Sequence, residues 1–187
     1  MAPLKAELTK NPSQNRIKLL DMACGTGRTL KFIRATLPKA SLYGVDLSPA
    51  YLRKANQILS EIPGELPQLV QANGENLPYL DNYFDGITSV FLFHELPPQA
   101  RQKVIEECFR VTKPGGIFLI CDAIQDGDCP EFQTIMDNFP INFHEPYYKS
   151  YTTDNLNERI EKAGFENIQI ETHFASKYWL ARKPKLN

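Results

Sequence analysis

Residues 17–29 read IKLLDMACGTGRT, and this stretch decides the fold. It begins as an apolar run, reaches an acid at Asp21, and passes through Gly25 and Gly27 into a segment of helical composition. A buried strand, a glycine turn and a helix in this order are typical of the first unit of a parallel α/β sheet. Ligands of such sheets bind at the carboxyl ends of the strands, so we predict that this turn is the floor of a binding crevice.

The rest of the chain alternates short β-branched or aromatic runs with segments whose apolar residues lie three and four apart. We predict strands in IKLLDMA, SLYGVDL, PQLVQA, FDGITSVFLF, GIFLICDA, NIQIETHF and SKYWLARK. We predict helices in RTLKFIRATL, PAYLRKANQILSEI, PQARQKVIEECFRVT and TTDNLNERIEKAG. Only residues 173–176 separate the last two strands, which is too few for a parallel crossover, so these strands are predicted to form an antiparallel hairpin.

Composition and charge favour one globular domain over residues 1–187. The chain is 42% hydrophobic with a formal net charge of -1, and its basic residues are scattered, so no nucleic-acid partner is expected. No window approaches about 18 consecutive apolar residues, and the N-terminus lacks the order of a signal peptide. We therefore expect no membrane insertion and a cytoplasmic location. The four cysteines form no C-x-x-C pair, and no metal site is predicted.

The glycine turn and a second acid indicate an adenosine-containing ligand. Asp46 ends the second predicted strand, about 20 residues after the turn, where a carboxylate accepts both hydroxyls of a ribose. A dinucleotide site requires a third glycine, but counting from Gly25 that position is Leu30. Asp21 would repel a pyrophosphate and attract a sulfonium or ammonium group, and no G-K-[ST] P-loop follows the turn. These charges favour S-adenosylmethionine, although the glycines alone also fit an ordinary turn, and Asp46 alone fits a helix N-terminal charge.

Four segments in order carry a family resemblance: LLDMACGTGRTLKFI, YGVDLSPAYLRKA, VQANGENLPYLDNYFDGITSVFLFHELP and VTKPGGIFLICD. They resemble the successive motifs of class I S-adenosylmethionine-dependent methyltransferases, most closely the type 11 and ubiquinone/menaquinone-biosynthesis group. The resemblance runs from about residue 17 to residue 183. It implies a Rossmann-like, doubly wound α/β fold with a seven-stranded, mostly parallel sheet in the order 3-2-1-4-5-7-6, whose last strand is antiparallel.

The resemblance also implies which residues bind the cofactor. The backbone from Asp21 to Gly27 would line the methionine half, Asp46 would bind the ribose, and further residues would surround the adenine. The whole predicted set is Asp21, Ala23, Cys24, Gly25, Gly27, Asp46, Leu47, Asn73, Gly74, Ser89 and Val90. Two positions depart from the family pattern: Ala23 stands where glycine is frequent, and Asn73 stands where many members have aspartate. A neutral amide accepts a weaker hydrogen bond from the adenine amine than a carboxylate does.

Candidate acceptor residues follow the fourth and fifth strands. His94 could remove a proton from the acceptor, or equally could pack against the following helix. Glu95 reads more often as a solvated charge. Residues 125–150 form one long irregular segment, interpreted as a substrate lid that offers His144, Tyr147 and Tyr148. A loop packed by its own aromatic rings is the alternative. Cys24 has no histidine placed beside it and is interpreted as a packing residue.

These features divide the domain into a cofactor-binding core (16–124), a lid (125–151) and a C-terminal helix with a hairpin (152–187). The predicted activity is methyl transfer to a small, partly apolar acceptor. A non-catalytic S-adenosylmethionine-binding or partner-binding module and a nicotinamide-dependent oxidoreductase are the alternatives. About 16 residues precede the first strand, whereas relatives commonly cover the substrate with N-terminal helices. The pocket is therefore open, or a homodimer partner or another chain covers it, or the sequence is part of a longer protein.

Overall fold

A computed structural model describes residues 16–185. The strands are β1 (Lys18–Met22), β2 (Ser41–Asp46), β3 (Gln68–Gln71), β4 (Phe84–Val90), β5 (Thr112–Ala123), β6 (Glu166–His173) and β7 (Ser176–Arg182). The α-helices are α1 (Arg28–Thr36), α2 (Pro49–Ser60), α3 (Pro98–Val111), α4 (Gln133–Phe143), α5 (Tyr148–Thr152) and α6 (Leu156–Lys162). Two 3₁₀ helices span Phe93–Glu95 and Pro130–Phe132. Within the described range, no helix is both long enough and apolar enough to cross a membrane.

The seven strands form one sheet in the order β3-β2-β1-β4-β5-β7-β6. The first five strands of this order, β3, β2, β1, β4 and β5, are parallel, and β7 runs antiparallel to both β5 and β6. The predicted strand order and the predicted terminal hairpin are both confirmed. The central strand β1 pairs Asp21 with Gly44 of β2 and with Thr88 of β4, so the carboxyl ends of these three strands meet at one edge of the sheet.

Both faces of the parallel part of the sheet are covered, as a parallel sheet requires. Successive strand residues point to opposite faces, and accordingly the neighbours Leu19 and Leu20 belong to different apolar clusters. Leu19 packs with α1 and α2 through Leu30 and Leu59, whereas Leu20 belongs to the larger cluster that includes residues of α3, α6 and β7. Helix α2 begins as predicted, with Pro49 in its first turn and the Ser48 hydroxyl accepting a hydrogen bond from the backbone N–H of Tyr51 at 3.3 Å.

Two predicted elements are wrong. The strand predicted over residues 84–93 ends at Val90, because Phe91 adopts a left-handed conformation (φ 54°) and turns the chain into a 3₁₀ helix. The segment predicted as irregular, residues 125–150, contains the 3₁₀ helix Pro130–Phe132, helix α4 and the start of α5. Proline disfavours a helix interior, yet Pro140 lies inside α4. Tertiary packing offsets the lost hydrogen bond, since buried Met136 contacts Ile124 and Tyr148.

Arg101 of α3 holds the segment around α5 against the turn that follows β4. Its side chain is fully buried, and it donates to the backbone carbonyl of Phe93 at 2.9 Å and to those of Tyr147 and Ser150 at 3.0 Å each. It also donates to the Asp154 carboxylate at 2.8 Å. One guanidinium, with its fixed fork of donors, therefore fixes the turn after β4, the start of α5 and the residues before α6 relative to each other.

We expect Arg101→Met to lower the free energy of unfolding by about 3 kcal/mol, because it leaves buried carbonyl oxygens and part of the Asp154 carboxylate without a donor. Lys103→Met is the matched control: Lys103 lies on the same helix, its side chain is 63% exposed, and its ion pair with Glu75 spans 3.3 Å. That exposed pair should contribute less than about 1 kcal/mol. Urea unfolding of the two variants would measure both values, and equal losses would contradict the role given to Arg101.

Candidate functional site

A cavity of 480 Å³ opens at the carboxyl ends of β1, β2 and β4, which is the size of a small-molecule site. Four chain segments supply most of its lining: the glycine turn after β1, the residues after β2, the residues after β3 and the turn after β4. Its lining includes eight residues that the sequence predicted, namely Ala23, Cys24, Gly25, Asp46, Leu47, Asn73, Gly74 and Val90.

The two glycines of the turn have different functions. Both have positive φ, 52° at Gly25 and 81° at Gly27. A Cβ at Gly25 would meet nothing within 4 Å, and Gly25 lines the cavity, so a side chain there would occupy the space of a ligand. A Cβ at Gly27 would lie 3.0 Å from a methyl carbon of Leu59. Gly27 therefore permits α1 to pack closely on α2, and it does not line the cavity.

Asp46 joins the end of β2 to the glycine turn. One carboxylate oxygen accepts from the backbone N–H of Gly25 at 2.8 Å, and the other accepts from the N–H of Ser48 at 2.8 Å. Each oxygen can accept a further hydrogen bond, so this fixed carboxylate can still receive a pair of vicinal hydroxyls. The contact between Asp46 and Gly25 also fixes the glycine turn, which forms the floor of the cavity, relative to the end of β2, which forms one wall.

Asp21 lies buried below the turn and does not line the cavity. One of its oxygens accepts from the Thr88 hydroxyl at 2.7 Å, and the other has no hydrogen-bond partner among the described residues. Burial raises the pKa of Asp21 to about 7, although the Thr88 hydrogen bond lowers it and the charge of Asp46 raises it further. A buried carboxylate with an unpartnered oxygen suits a ligand that brings positive charge nearby.

The other predicted cofactor residues differ in exposure. Leu47 is 68% exposed, and its side chain stands free at the cavity mouth. The side-chain oxygen of Asn73 accepts from the N–H of Glu75 at 2.9 Å, so the local turn already uses one of its lone pairs. Ser89 is fully buried, and among the described residues its hydroxyl has no hydrogen-bond partner. Val90, not Ser89, supplies the cavity wall at the end of β4.

Cys24 shows no sign of nucleophilic activation. Its side chain is buried, and burial together with the charges of Asp21 and Asp46 raises the pKa of the thiol to about 12. A thiol with such a pKa carries almost no thiolate at neutral pH. This supports the prediction that Cys24 is a packing residue.

Sequence reasoning assigned no function to several lining residues. Arg28 opens α1 directly after Gly27, and Thr29 follows it; both lie at the cavity in the segment GTGRT. The sequence does indicate a function for Arg28, since a basic residue at a helix start beside a ligand-binding turn can bind a carboxylate. Phe91, in contrast, lines the cavity with a backbone conformation that bulky residues rarely adopt, and no local sequence pattern predicts it.

His94 is paired with a buried carboxylate that the sequence did not reveal. Its Nδ1 lies 2.6 Å from Asp122, the penultimate residue of β5, and both side chains are buried. The second oxygen of Asp122 accepts from the N–H groups of Leu92 and Phe93, at 3.0 and 2.7 Å. Asp122 therefore shapes the 3₁₀ helix and orients the imidazole, leaving Nε2 without a hydrogen-bond partner among the described residues.

Charges around His94 determine its protonation. Burial lowers its pKa, but the hydrogen bond and charge of Asp122, with the charges of Glu95 and Glu145, outweigh burial and raise the pKa above 6.5. The ring does not itself line the cavity, whereas Phe91 and Glu95 on either side of it do.

The three lid residues predicted for acceptor contact do not come together. Tyr148 is buried, with its ring centre 6.1 Å from that of His94. Tyr147 is 39% exposed, and its backbone carbonyl is held by Arg101. His144 is exposed and forms the left-handed end of α4 (φ 55°). Of the three, only Tyr148 is joined to His94.

Known proteins share this architecture and its motifs. The family described as "Methyltransferase domain" matches residues 19–116. A demethylmenaquinone methyltransferase of Geobacillus sp. (strain WCH70) is 35% identical over 175 residues, covering 83% of this chain and 74% of the relative. A solved S-adenosylmethionine-dependent methyltransferase of Methanosarcina mazei has a TM-score of 0.71 at 18% identity, covering 96% of this chain and 98% of that one.

The cofactor set fits this likeness: the open Cβ position of Gly25, the fixed carboxylate of Asp46 and the unpartnered oxygen of Asp21 suit an adenosine with a cationic tail. The chain belongs to the methyltransferase domain family and is a class I S-adenosylmethionine-dependent methyltransferase.

Proposed function

We propose that this methyltransferase acts on a small, partly apolar acceptor and that His94 removes the acceptor's proton. The observation that carries the proposal is the 2.6 Å contact between His94 and Asp122 at the turn after β4, next to the cofactor cavity. A histidine that donates through Nδ1 to a fixed carboxylate keeps its Nε2 lone pair available as a base.

The cofactor supplies a methyl group activated by a sulfonium charge. We propose that Asp46 binds its ribose hydroxyls, that the turn at Ala23, Cys24 and Gly25 holds its methionine half, and that Asp21 favours its positive charge from below. Leu47, Asn73, Gly74 and Val90 would surround the adenine, and Arg28 suits the carboxylate of the tail. The protein's main contribution to rate is then alignment and exclusion of water.

An apolar acceptor is supported by the surfaces beside the cavity. Phe91, Leu92 and Leu96 line the cavity on the side of His94. The start of α5 packs against the 3₁₀ helix that follows β4, through Tyr148 and His94. Helix α4 packs on α5 through Phe139 and Tyr148 and presents apolar side chains to solvent, including Ile135, Ile141 and Phe143. These helices are the proposed lid, residues 125–151. The similarity to a demethylmenaquinone methyltransferase supports a small, ring-bearing acceptor. That a second copy of the chain covers the pocket stays a prediction. Residues 1–15, which precede the first strand, lie outside the described residues.

Binding and transfer experiments test the proposal. Calorimetric titration with S-adenosylmethionine and S-adenosylhomocysteine should show binding of both, and NAD should not compete. The enzyme should then transfer a labelled methyl group into the small-molecule fraction of a cell extract. Label in protein or RNA would contradict the acceptor class, whereas binding with no transferred label would favour the non-catalytic module. Binding of NAD in place of S-adenosylmethionine would favour the oxidoreductase.

Asp46→Ala should weaken S-adenosylmethionine binding at least about tenfold, because hydrogen bonds to a charged acceptor contribute about 1.5–3 kcal/mol and the Gly25 N–H also loses its partner. His94→Ala is the control and should leave cofactor affinity within about twofold while lowering methyl transfer by about 100-fold or more. Titration calorimetry and the label assay separate the two effects. Parent-like affinity in the Asp46 variant would refute the ribose assignment.

Asp21→Asn should alter both stability and cofactor choice. The pKa of Asp21 rises from 3.8 to about 7 on folding, so the folded protein holds the proton more tightly and the free energy of unfolding falls between about pH 4 and pH 7. The free energy of unfolding of the variant should not decrease in this way. Above pH 7 the variant should therefore be more stable than the parent by on the order of 2 kcal/mol.

Without the Asp21 charge, the preference for S-adenosylmethionine over the uncharged sulfur of S-adenosylhomocysteine should shrink. Thermal melts across pH and paired titrations measure the two effects. If the stability of the variant above pH 7 does not exceed that of the parent, Asp21 does not carry a destabilising buried charge in the parent.

Asp122→Asn should shift the pH dependence of methyl transfer. His94 acts as a base only when neutral, so the parent rate should rise with pH through the raised pKa of His94. Removing the Asp122 charge lowers that pKa, and the midpoint of the rate profile should move to lower pH, with a reduced plateau because the imidazole is less well oriented. An unchanged midpoint would show that His94 is not the titrating group.

A further inference from the structure

Three groups from two separate segments converge beside the cofactor cavity. One nitrogen of His94 and one carboxylate oxygen each of Glu95 and Glu145 all lie within 4.8 Å of one another. Glu95 lines the cavity, and Glu145 lies in the link between α4 and α5. The backbone of Glu145 is held on both sides: its N–H donates to the carbonyl of Pro140 and its carbonyl accepts from the N–H of Tyr148, each at 3.2 Å.

No positive side chain of residues 16–185 forms an ion pair with Glu95 or Glu145, and neither carboxylate accepts a hydrogen bond there. Other carboxylates of the described residues do have cationic partners, such as Asp85 with Lys113, Asp128 with Lys177, Glu107 with Arg110 and Asp154 with Arg101. Together with Asp122, the group holds three carboxylates and one imidazole. Its net charge is negative even when His94 is protonated, so it attracts a cation.

The spacing of the three atoms fits an ammonium group. Acceptors that surround an ammonium nitrogen at about 2.8 Å stand about 4.6 Å apart. Ligands of a small divalent metal, at about 2.1 Å from the ion, stand about 3.0–3.4 Å apart. A spread of up to 4.8 Å therefore accommodates an ammonium without rearrangement of the backbone, whereas a metal ion requires the three atoms to close around it.

An aromatic ring adjoins the group. Phe91 is 49% exposed, lines the cofactor cavity, and has its ring centre 6.2 Å from that of His94. An exposed aromatic face beside carboxylates is a recurrent way to bind organic cations, because the ring attracts the charge and also contacts the attached hydrocarbon. The left-handed backbone of Phe91 is a strained conformation, and it brings the ring to this position.

We propose that His94, Glu95 and Glu145 form an acceptor subsite for a protonated amine, and that the nitrogen of this amine receives the methyl group. This inference rests on the proposed function and specifies its acceptor. The ammonium gives one proton to Nε2 of His94 and becomes a neutral nucleophile. The amine forms a nitrogen–carbon bond as the carbon–sulfur bond of the cofactor breaks, and that electron pair stays on sulfur. The products are a methylated ammonium and S-adenosylhomocysteine, and the His94 proton passes to water.

The first test is a binding comparison on the protein saturated with S-adenosylhomocysteine. Benzylamine and benzyl alcohol have the same shape, but only benzylamine is cationic at neutral pH. We expect benzylamine to bind at least about tenfold more tightly, and Glu145→Gln to remove this advantage without changing the affinity for S-adenosylhomocysteine. Glu106→Gln, an exposed acid of α3, is the control and should retain the advantage. Equal affinity for the two probes, or no binding of benzylamine, would overturn the subsite.

Glu145→Gln also tests whether the group binds a metal ion in place of an ammonium. Titration with Zn²⁺ or Mn²⁺ should show no site that Glu145→Gln abolishes. A micromolar metal site lost in that variant, and competing with benzylamine, would replace the ammonium by a metal ion and overturn the proposal.

The second test distinguishes this inference from the proposed function. The enzyme receives S-adenosylmethionine with a labelled methyl group and a metabolite extract, and the products are separated on a cation exchanger at acid pH. Label retained as a methylated amine, and reduced at least about tenfold by Glu145→Gln, supports the subsite. Label only in neutral ring compounds would overturn the subsite but leave methyl transfer to a small acceptor intact. Label in no small molecule would remove the proposed function itself.

Discussion

The carboxylate of Asp122 is the constraint on which the reactive edge of this protein depends. It is the penultimate residue of β5, yet it accepts hydrogen bonds from two backbone N–H groups and one imidazole of the turn that follows β4. A buried carboxylate in this position costs desolvation energy unless several donors surround it. The turn supplies those donors only in its 3₁₀ conformation. One buried charge thereby fixes the backbone beside the cavity, the tautomer of His94 and the direction of its free nitrogen.

The parallel topology explains why so few residues suffice to build the site. Strands β1, β2 and β4 are neighbours, so their ends meet without any long connection. Asp46 reaches Gly25 across one strand spacing, and Asp122 reaches the turn after β4 across another. Each contact ties two strand ends by a side chain that accepts backbone N–H groups. Arg101 links segments in a similar way, since its guanidinium donates to carbonyl oxygens both of this turn and of the residues at the start of α5.

Local spacing predicted the part of the site that local structure builds. Gly25 and Asp46 belong to strand-turn-helix units whose geometry the sequence specifies within a few residues, and the strand order followed from family motifs. The partners of His94 could not be predicted in this way. Asp122 and Glu145 are distant in sequence, and they reach His94 only through the pairing of β5 with β4 and through the link between α4 and α5. Helix α4 was not predicted because proline disfavours a helix interior, while the packing of Met136 that stabilises this helix is a tertiary effect.

Carboxylates concentrate at the edge where a cation reacts. Burial raises the pKa of both Asp21 and Glu95. The charge of Asp46 raises the pKa of Asp21 further, and the charges of Glu145, Asp122 and Asp46 raise that of Glu95 against the opposing effect of His94, so these carboxylates repel one another. The protein maintains this repulsion because surrounding hydrogen bonds hold the strand ends. A sulfonium relieves it, and a bound cation is therefore stabilised more than its neutral counterpart. Once the methyl group has left, the sulfur is uncharged and the relief is lost. The arrangement that favours the reactant also favours release of the neutral product.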